Sequence, residues 1–164
     1  MRKDKEIVLD NDVIRSTNIG GVGGKEKLLQ DFFCKSSKVV RINHSIYDFI
    51  VNDQKIEVKK QQNGQWFDYA KYHNLDDEHL NIIMMFIIHK KGETEIIFTI
   101  TLGNFLKIVC NDPEFRCDGW TLQDISDAYD KKSKYPKLEY KAPLNIRKFY
   151  TKYKDHVSLL YNCI

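Results

Sequence analysis

The stretch SIYDFIVNDQKIEVKKQQ, residues 45–62, sets two carboxylates and a lysine among apolar positions: Asp48, Glu57 and Lys59, followed by Gln61. Asn52 and Asp53 suit a two-residue hairpin turn, because both residue types tolerate positive φ. Counting outward from that turn pairs Val51 with Gln54, Ile50 with Lys55 and Phe49 with Ile56, and sets Asp48 across from Glu57. Directly opposed side chains have Cβ atoms about 4.5–5.5 Å apart, a spacing at which like charges destabilise a sheet. Either Lys59 compensates the two acids or both carboxylates hold a divalent cation. Hard oxygen ligands suit Mg²⁺, which keeps waters available for chemistry. The plainer alternative is a solvated polar face with a surface Glu–Lys pair.

These residues need a sheet to hold them. Strand alternation puts Tyr47, Phe49, Val51, Ile56 and Val58 on one apolar face, expected to pack on the core. Asp48, Glu57, Lys59 and Gln61 share the other face with Ile46 and Ile50. Upstream, Leu28, Leu29, Phe32 and Phe33 recur at helical spacing and predict a helix at about Gly24–Lys35 after a glycine run. KVVRIN then reads as a short strand, and NGQWFDYAKYHNLDDEH as polar and irregular with one helical turn. NIIMMFIIHKKGETEIIFTITL predicts a long hairpin turning around Lys90–Thr94. GNFLKIV reads as a short helix, and WTLQDISDAYDKK as a further helix with Thr121 as its N-cap and Leu122, Ile125 and Tyr129 at helical intervals. This order gives an α/β fold class, with a single mixed β-sheet flanked by helices. At 164 residues the chain is most simply one domain, 1–164.

Asp48 and the run Glu57-Val58-Lys59, extended through Gln61 to an E-x-K-x-Q variant, resemble the active-site motif of the PD-(D/E)XK nuclease superfamily, the fold of many type II restriction endonucleases. The predicted helix carrying Glu26 is similar to that family's first helix, and the order helix, strand, hairpin matches its core over about Gly23–Leu102. The proline expected before the first acid is replaced by Tyr47. The resemblance implies a restriction-endonuclease-like core and a Mg²⁺-dependent endonuclease that hydrolyses DNA phosphodiester bonds, with Mn²⁺ able to substitute. Asp48 and Glu57 would be the metal ligands, supporting a metal-bound water of lowered pKa. Lys59 would orient the attacking water and stabilise charge on the phosphate. Glu26 would complete the metal shell or serve as an ordinary first-turn acid. Gln61 would orient a water, contact a phosphate or be solvated. Within the same class, a Holliday-junction resolvase or repair nuclease is the alternative; outside it, a non-catalytic nucleic-acid-binding module. Cutting both strands of a symmetric double-stranded site implies a homodimer, since a chain this size carries one such site.

Charge is segregated along the chain. Residues 131–154 hold nine lysines and arginines against Glu139, in a chain whose formal net charge is +3. Tyr135, Tyr140, Phe149, Tyr150 and Tyr153 interleave with them, as suits a surface that tracks phosphates. Lys141, Arg147 and Lys148 are the candidate DNA contacts there, with Lys60 beside the hairpin. The alternative is a solubilising segment docked through its aromatics. GGVGGKE fails as a P-loop, because Ile19 and Glu26 stand where glycine and Ser or Thr are needed. HNLDDEH meets no metal motif and reads as a solvated loop; His44 could lie near a phosphate or be a loop residue.

Composition, at 42% hydrophobic and 30% charged, is that of a globular protein. The start, MRKDKEIVLDNDVIRS, reads as neither a signal peptide nor a transit peptide, and no segment has the roughly 18 apolar residues of a membrane span. A cytoplasmic location with no membrane association is expected, and with it free thiols at Cys34, Cys110, Cys117 and Cys163. A zinc site from Cys110, Cys117 and a distant histidine is the alternative for that pair.

Overall fold

Isoleucine-rich runs on either side of residues 91–92 are too apolar to face water on both sides, and they become the two central strands. The computed structural model describes residues 39–41, 47–51, 53–61, 65–68, 72, 75–90, 93–125 and 141–162. The predicted Gly24–Lys35 helix with Glu26, together with His44, His73, Cys34, Cys163 and the first part of the basic segment, lies outside them. In chain order the strands are β1 (Val39–Arg41), β2 (Phe49–Val51), β3 (Gln54–Gln61), β4 (Gln65–Asp68), β5 (Ile83–Lys90), β6 (Glu93–Thr101), β7 (Lys141–Leu144) and β8 (Ser158–Asn162). The helices are α1 (Asp77–Leu80), α2 (Leu102–Val109) and α3 (Ile146–Tyr153), with a 3₁₀ turn at Lys154–His156.

The main sheet has six strands in the order β1-β2-β3-β5-β6-β8, and β4 and β7 form a separate two-stranded ribbon. Only β3 and β5 run parallel; the other pairs are antiparallel. The α/β class and the mixed sheet expected from the sequence are present. A parallel pair cannot be joined by a tight turn, so the chain between β3 and β5 must cross over, and that crossover contains β4 and α1. The hairpin register is the one counted from the turn: Val51 opposes Gln54, Ile50 opposes Lys55 and Phe49 opposes Ile56. Asp53 has φ 65°, the left-handed conformation that a two-residue turn requires.

Cross-strand partners share a face, so the registers define rows across the sheet. Glu57, Met84 and Ile100 form one row; Lys59, Phe86 and Phe98 the next; Gln61, Ile88 and Ile96 the third. The β5 and β6 members of all three rows belong to the main buried cluster, together with Phe105 of α2 and Phe149 of α3. The Glu57 face, expected to be polar, therefore opens onto the core. The opposite rows, Ile56–Ile83, Val58–Met85 and Lys60–Ile87, also contain buried side chains at Ile56, Val58, Met85 and Ile87. A hairpin read alone cannot report this, because burial on its charged face is decided by strands contributed from residues 83–101.

Aromatic packing joins the layers. Phe86 stacks on Phe98 with centroids 5.2 Å apart and meets Phe105 at the same distance. Phe149 is wedged between Phe98, Phe105, Phe115 and Tyr153. Helix entries are capped as their sequences imply. Thr101 Oγ1 accepts from Asn104 N–H, and Asn145 Oδ1 from Lys148 N–H. Thr121 Oγ1 accepts from Asp124 N–H at 3.1 Å, opening a helical turn at 122–125. Asp76 and His79 make a reciprocal capping box on α1, so the acids and histidine of HNLDDEH organise a helix start rather than a loose loop.

Removing the Phe149 ring leaves a cavity at the junction of α2, α3 and the sheet. Phe149→Ala is expected to lose about 3–5 kcal/mol in denaturant unfolding. Leu122→Ala, at a side chain 42% exposed, should change stability by less than about 0.5 kcal/mol.

Candidate active site on the central hairpin

Asp48 leaves the ladder. The chain bends there, and the Asp48 N–H donates to the Ile56 carbonyl at 3.0 Å, so Asp48 and Phe49 both stand against Ile56. Two residues against one is a bulge, and it reverses the alternation upstream. Tyr47, expected on the Ile56 face, instead joins the cluster of Met84 and Phe86, with Lys55 Nζ 5.2 Å from its ring centroid. The direct opposition of Asp48 and Glu57 gives way to a different arrangement. Asp48 Oδ2 accepts from the Val58 N–H at 3.1 Å, the amide between Glu57 and Lys59. The bulge thus keeps Asp48 at the hairpin end while removing the face-to-face carboxylate clash.

Glu57 is 1% exposed. A carboxylate buried to that degree requires a charged or hydrogen-bonding partner, and Lys59 Nζ lies 2.8 Å from its Oε1. Lys59 is half-buried and its ammonium sits 5.9 Å from the centroid of the Phe67 ring. Asp48, Glu57 and Lys59 are therefore gathered around three consecutive residues of β3. Gln61 occupies the next position along the same row pattern, paired with Ile88. Lys60 belongs to the opposite face, with Ile87, and does not join Glu57 and Lys59.

The turn end of the hairpin is tied down from the crossover. Lys55 pairs with Glu78 of α1, which raises the Lys55 pKa through that hydrogen bond. Gln54 Nε2 donates to the Asn81 carbonyl at 3.3 Å.

The basic segment is integrated into the fold over 141–154. Ile146 and Phe149 are buried, and its cations meet acids. Arg147 pairs with Glu95, the residue bulged out of β6 where the register jumps from Ile88–Ile96 to His89–Thr94. Lys148 lies 3.5 Å from Glu114. Lys152 reaches Asp112 at 2.6 Å and Glu114 at 3.5 Å. Lys141 stands opposite Asp68 in the β4–β7 register. Of the three proposed contacts in this segment, Lys148 has the more exposed described side chain, at 52%.

Asp112, missed in the sequence, is the buried acid of this second cluster. Burial pushes its carboxyl up, but hydrogen bonds from Lys152, Tyr153 and the Glu114 N–H outweigh that and hold it at about 2. Tyr153 donates its hydroxyl to Asp112, and its own pKa rises through burial and that bond. Phe67 lies in a stretch whose polar composition predicts irregular structure, yet QWFD forms β4; the paired aromatics Trp66 and Phe67 are its strand signal.

Cys110 and Cys117 are buried free thiols, and burial with the nearby Asp124 charge pushes Cys110 up to about 11. Among the described residues no three His, Cys, Asp or Glu side chains cluster as a metal site, and no helix is long and apolar enough to cross a membrane.

Whether Asp48 and Glu57 suit Mg²⁺ depends on their oxygens. They offer hard carboxylate donors, one from the bend before β2 and one from β3, and Asp48 commits Oδ2 to Val58 while its Oδ1 accepts no hydrogen bond among the described residues. The donor chemistry fits a hard divalent cation. No protein-family model matches the chain, and a search of curated proteins gives no significant match.

The Asp112 cluster sets a pH dependence. A carboxyl held near 2 in the folded chain and near about 3.9 when unfolded stabilises the fold fully above about pH 4. That contribution disappears as pH falls through about 2. Thermal unfolding of Asp112→Asn beside the parent chain should show a lower Tm at pH 7 and a gap that narrows below about pH 4.

Proposed function

We propose that the protein is a Mg²⁺-dependent endonuclease that hydrolyses phosphodiester bonds in double-stranded DNA, of the site-specific type II restriction kind, working in the cytoplasm as a homodimer. The observation that carries this reading is the grouping of Asp48, buried Glu57 and Lys59 around Val58, with the ammonium 2.8 Å from the Glu57 carboxylate. It supports the PD-(D/E)XK resemblance of the sequence motif, as do the short strand and hairpin preceding the parallel return strand β5.

Asp48 and Glu57 would hold the metal, which when bound supplies a water of lowered pKa and neutralises phosphate charge. The protein's own contribution is placement. Asp48 is fixed by Val58, so its free oxygen keeps one direction. Glu57 holds Lys59 in the ground state, and a phosphate entering beside the half-buried lysine would share that charge. Lys59 then stabilises negative charge developing on the phosphoryl oxygens, an electrostatic role favoured in a site partly closed to water. Gln61, further along β3, is a candidate for orienting water. The pairing of Arg147 with Glu95 and of Lys152 with Asp112 favours a supporting role for these two cations, and leaves Lys60, Lys141 and the more exposed Lys148 as the candidate phosphate contacts.

The test is incubation of the purified protein with supercoiled plasmid and long linear DNA in millimolar Mg²⁺ or in EDTA. Discrete Mg²⁺-dependent bands are expected, with Glu57→Gln and Lys59→Ala each slowing cleavage by about 10²–10³-fold. Cleavage of a four-way junction but not of duplex would make the protein a resolvase. DNA binding with no cleavage of either would reduce it to a binding module and overturn the catalytic assignment.

A further inference from the structure

The Lys59 ammonium has two described contacts, Glu57 and Phe67, and the second lies outside its motif. We propose that Phe67 is a positioning residue of the Asp48–Glu57–Lys59 site: its ring face, together with the Glu57 carboxylate, fixes the position of the Lys59 ammonium. The catalytic consequence rests on the nuclease reading above; the placement of the ammonium does not.

A lysine side chain is long and flexible, and a single ion pair leaves its stem free to swing. The Glu57 carboxylate supplies one anchor at 2.8 Å. The Phe67 ring supplies the other, with its centroid 5.9 Å from Nζ, within the range at which an aromatic face attracts a cation. The ring is itself immobilised. It is 2% exposed, stacked on Tyr72 at 5.7 Å and 24°, and packed against Phe86 at 6.3 Å and Phe105 at 5.4 Å. Phe86 is the row neighbour of Lys59 on β5, so ring and lysine are referenced to the same strand. The backbone of β4 is fixed by its pairing with β7, Phe67 opposite Ala142. The crossover thus returns an aromatic ring to the Lys59 position on the charged face of β3.

A group displaced by about 1 Å from its productive position can cost about 10²-fold in rate. Phe67→Leu is accordingly expected to lower kcat for DNA cleavage by about 10–100-fold with KM changed less than about two-fold. Phe67→Tyr, which retains the ring, should rescue most of the rate. A purely structural role would instead lower the amount of active protein and be equally sensitive to Tyr and Leu.

A second readout needs no activity. Reductive ¹³C-methylation of the intact protein labels the lysines for NMR, and Lys59→Arg identifies the Lys59 signal by its loss. Held against a ring face, that signal should lie upfield of the exposed lysines in the parent chain, move to the common position in Phe67→Leu and stay upfield in Phe67→Tyr. A parent signal at the position of exposed lysines overturns the proposal even if Phe67→Leu fails to fold, and so does an unchanged kcat in a folded Phe67→Leu. An upfield signal lost with the ring, in a parent chain that cuts no nucleic acid, retains the positioning role for Phe67 and rejects the nuclease reading alone.

Discussion

A glutamate carboxylate sunk to 1% exposure on a core-facing row of the sheet is the constraint around which the hairpin region is arranged. Such a charge is costly unless paired in good geometry, and the partner has to be close, cationic and able to reach along the strand. Lys59, two residues on and on the same face, meets that need at 2.8 Å. The same requirement explains the bulge at Asp48. A second carboxylate directly opposite Glu57 would double the buried negative charge, whereas the bend lets Asp48 satisfy the Val58 N–H and remain at the margin of the site. Tyr47 then fills the apolar position that the reversed alternation opens.

The rest of the fold follows from giving β3 a parallel neighbour. The crossover between β3 and β5 carries two devices: β4, which sets Phe67 over Lys59, and α1, whose Glu78 and Asn81 hold Lys55 and Gln54 near the turn. The ribbon β4–β7 leads directly into α3, whose Phe149 closes the aromatic core. The second bulge, at Glu95, has a related logic. An acid turned out of the β6 ladder meets Arg147 from α3, and Asp112 is met by Lys152 and Tyr153 further along the same helix. The cations of α3 thus serve mainly to dock the helix.

Much of this was legible in the residues. Turn chemistry at Asn52-Asp53 gave the hairpin register, and the isoleucine runs gave β5 and β6, because both are local signals. Strand alternation put Glu57 and Lys59 on one face, with a direct ion pair as one of the alternatives it left open. Three features were not legible, for separate physical reasons. The bulge at Asp48 depends on a long-range balance of charge and burial that alternation cannot express. The burial of the Glu57 face depends on Met84, Phe86 and their row partners, nearly thirty residues away in sequence. The basic segment after residue 140 was read by charge, yet its fold is set by Leu144, Ile146 and Phe149, sparse apolar positions whose pattern is diluted by lysine. Net charge along a segment says how it meets solvent and partners, and says little about which of its cations are already neutralised within the chain.

The nuclease proposal requires Asp48 and Glu57 together to hold a divalent cation at the end of the hairpin. The most direct measurement is an NMR titration of the ¹⁵N-labelled protein with substoichiometric Mn²⁺, competed by Mg²⁺. Amides of Asp48, Glu57, Val58 and Lys59 should broaden first, recover with Mg²⁺ and be spared in Glu57→Gln. Broadening confined to other acidic residues, or equal broadening of the hairpin in Glu57→Gln, would contradict it.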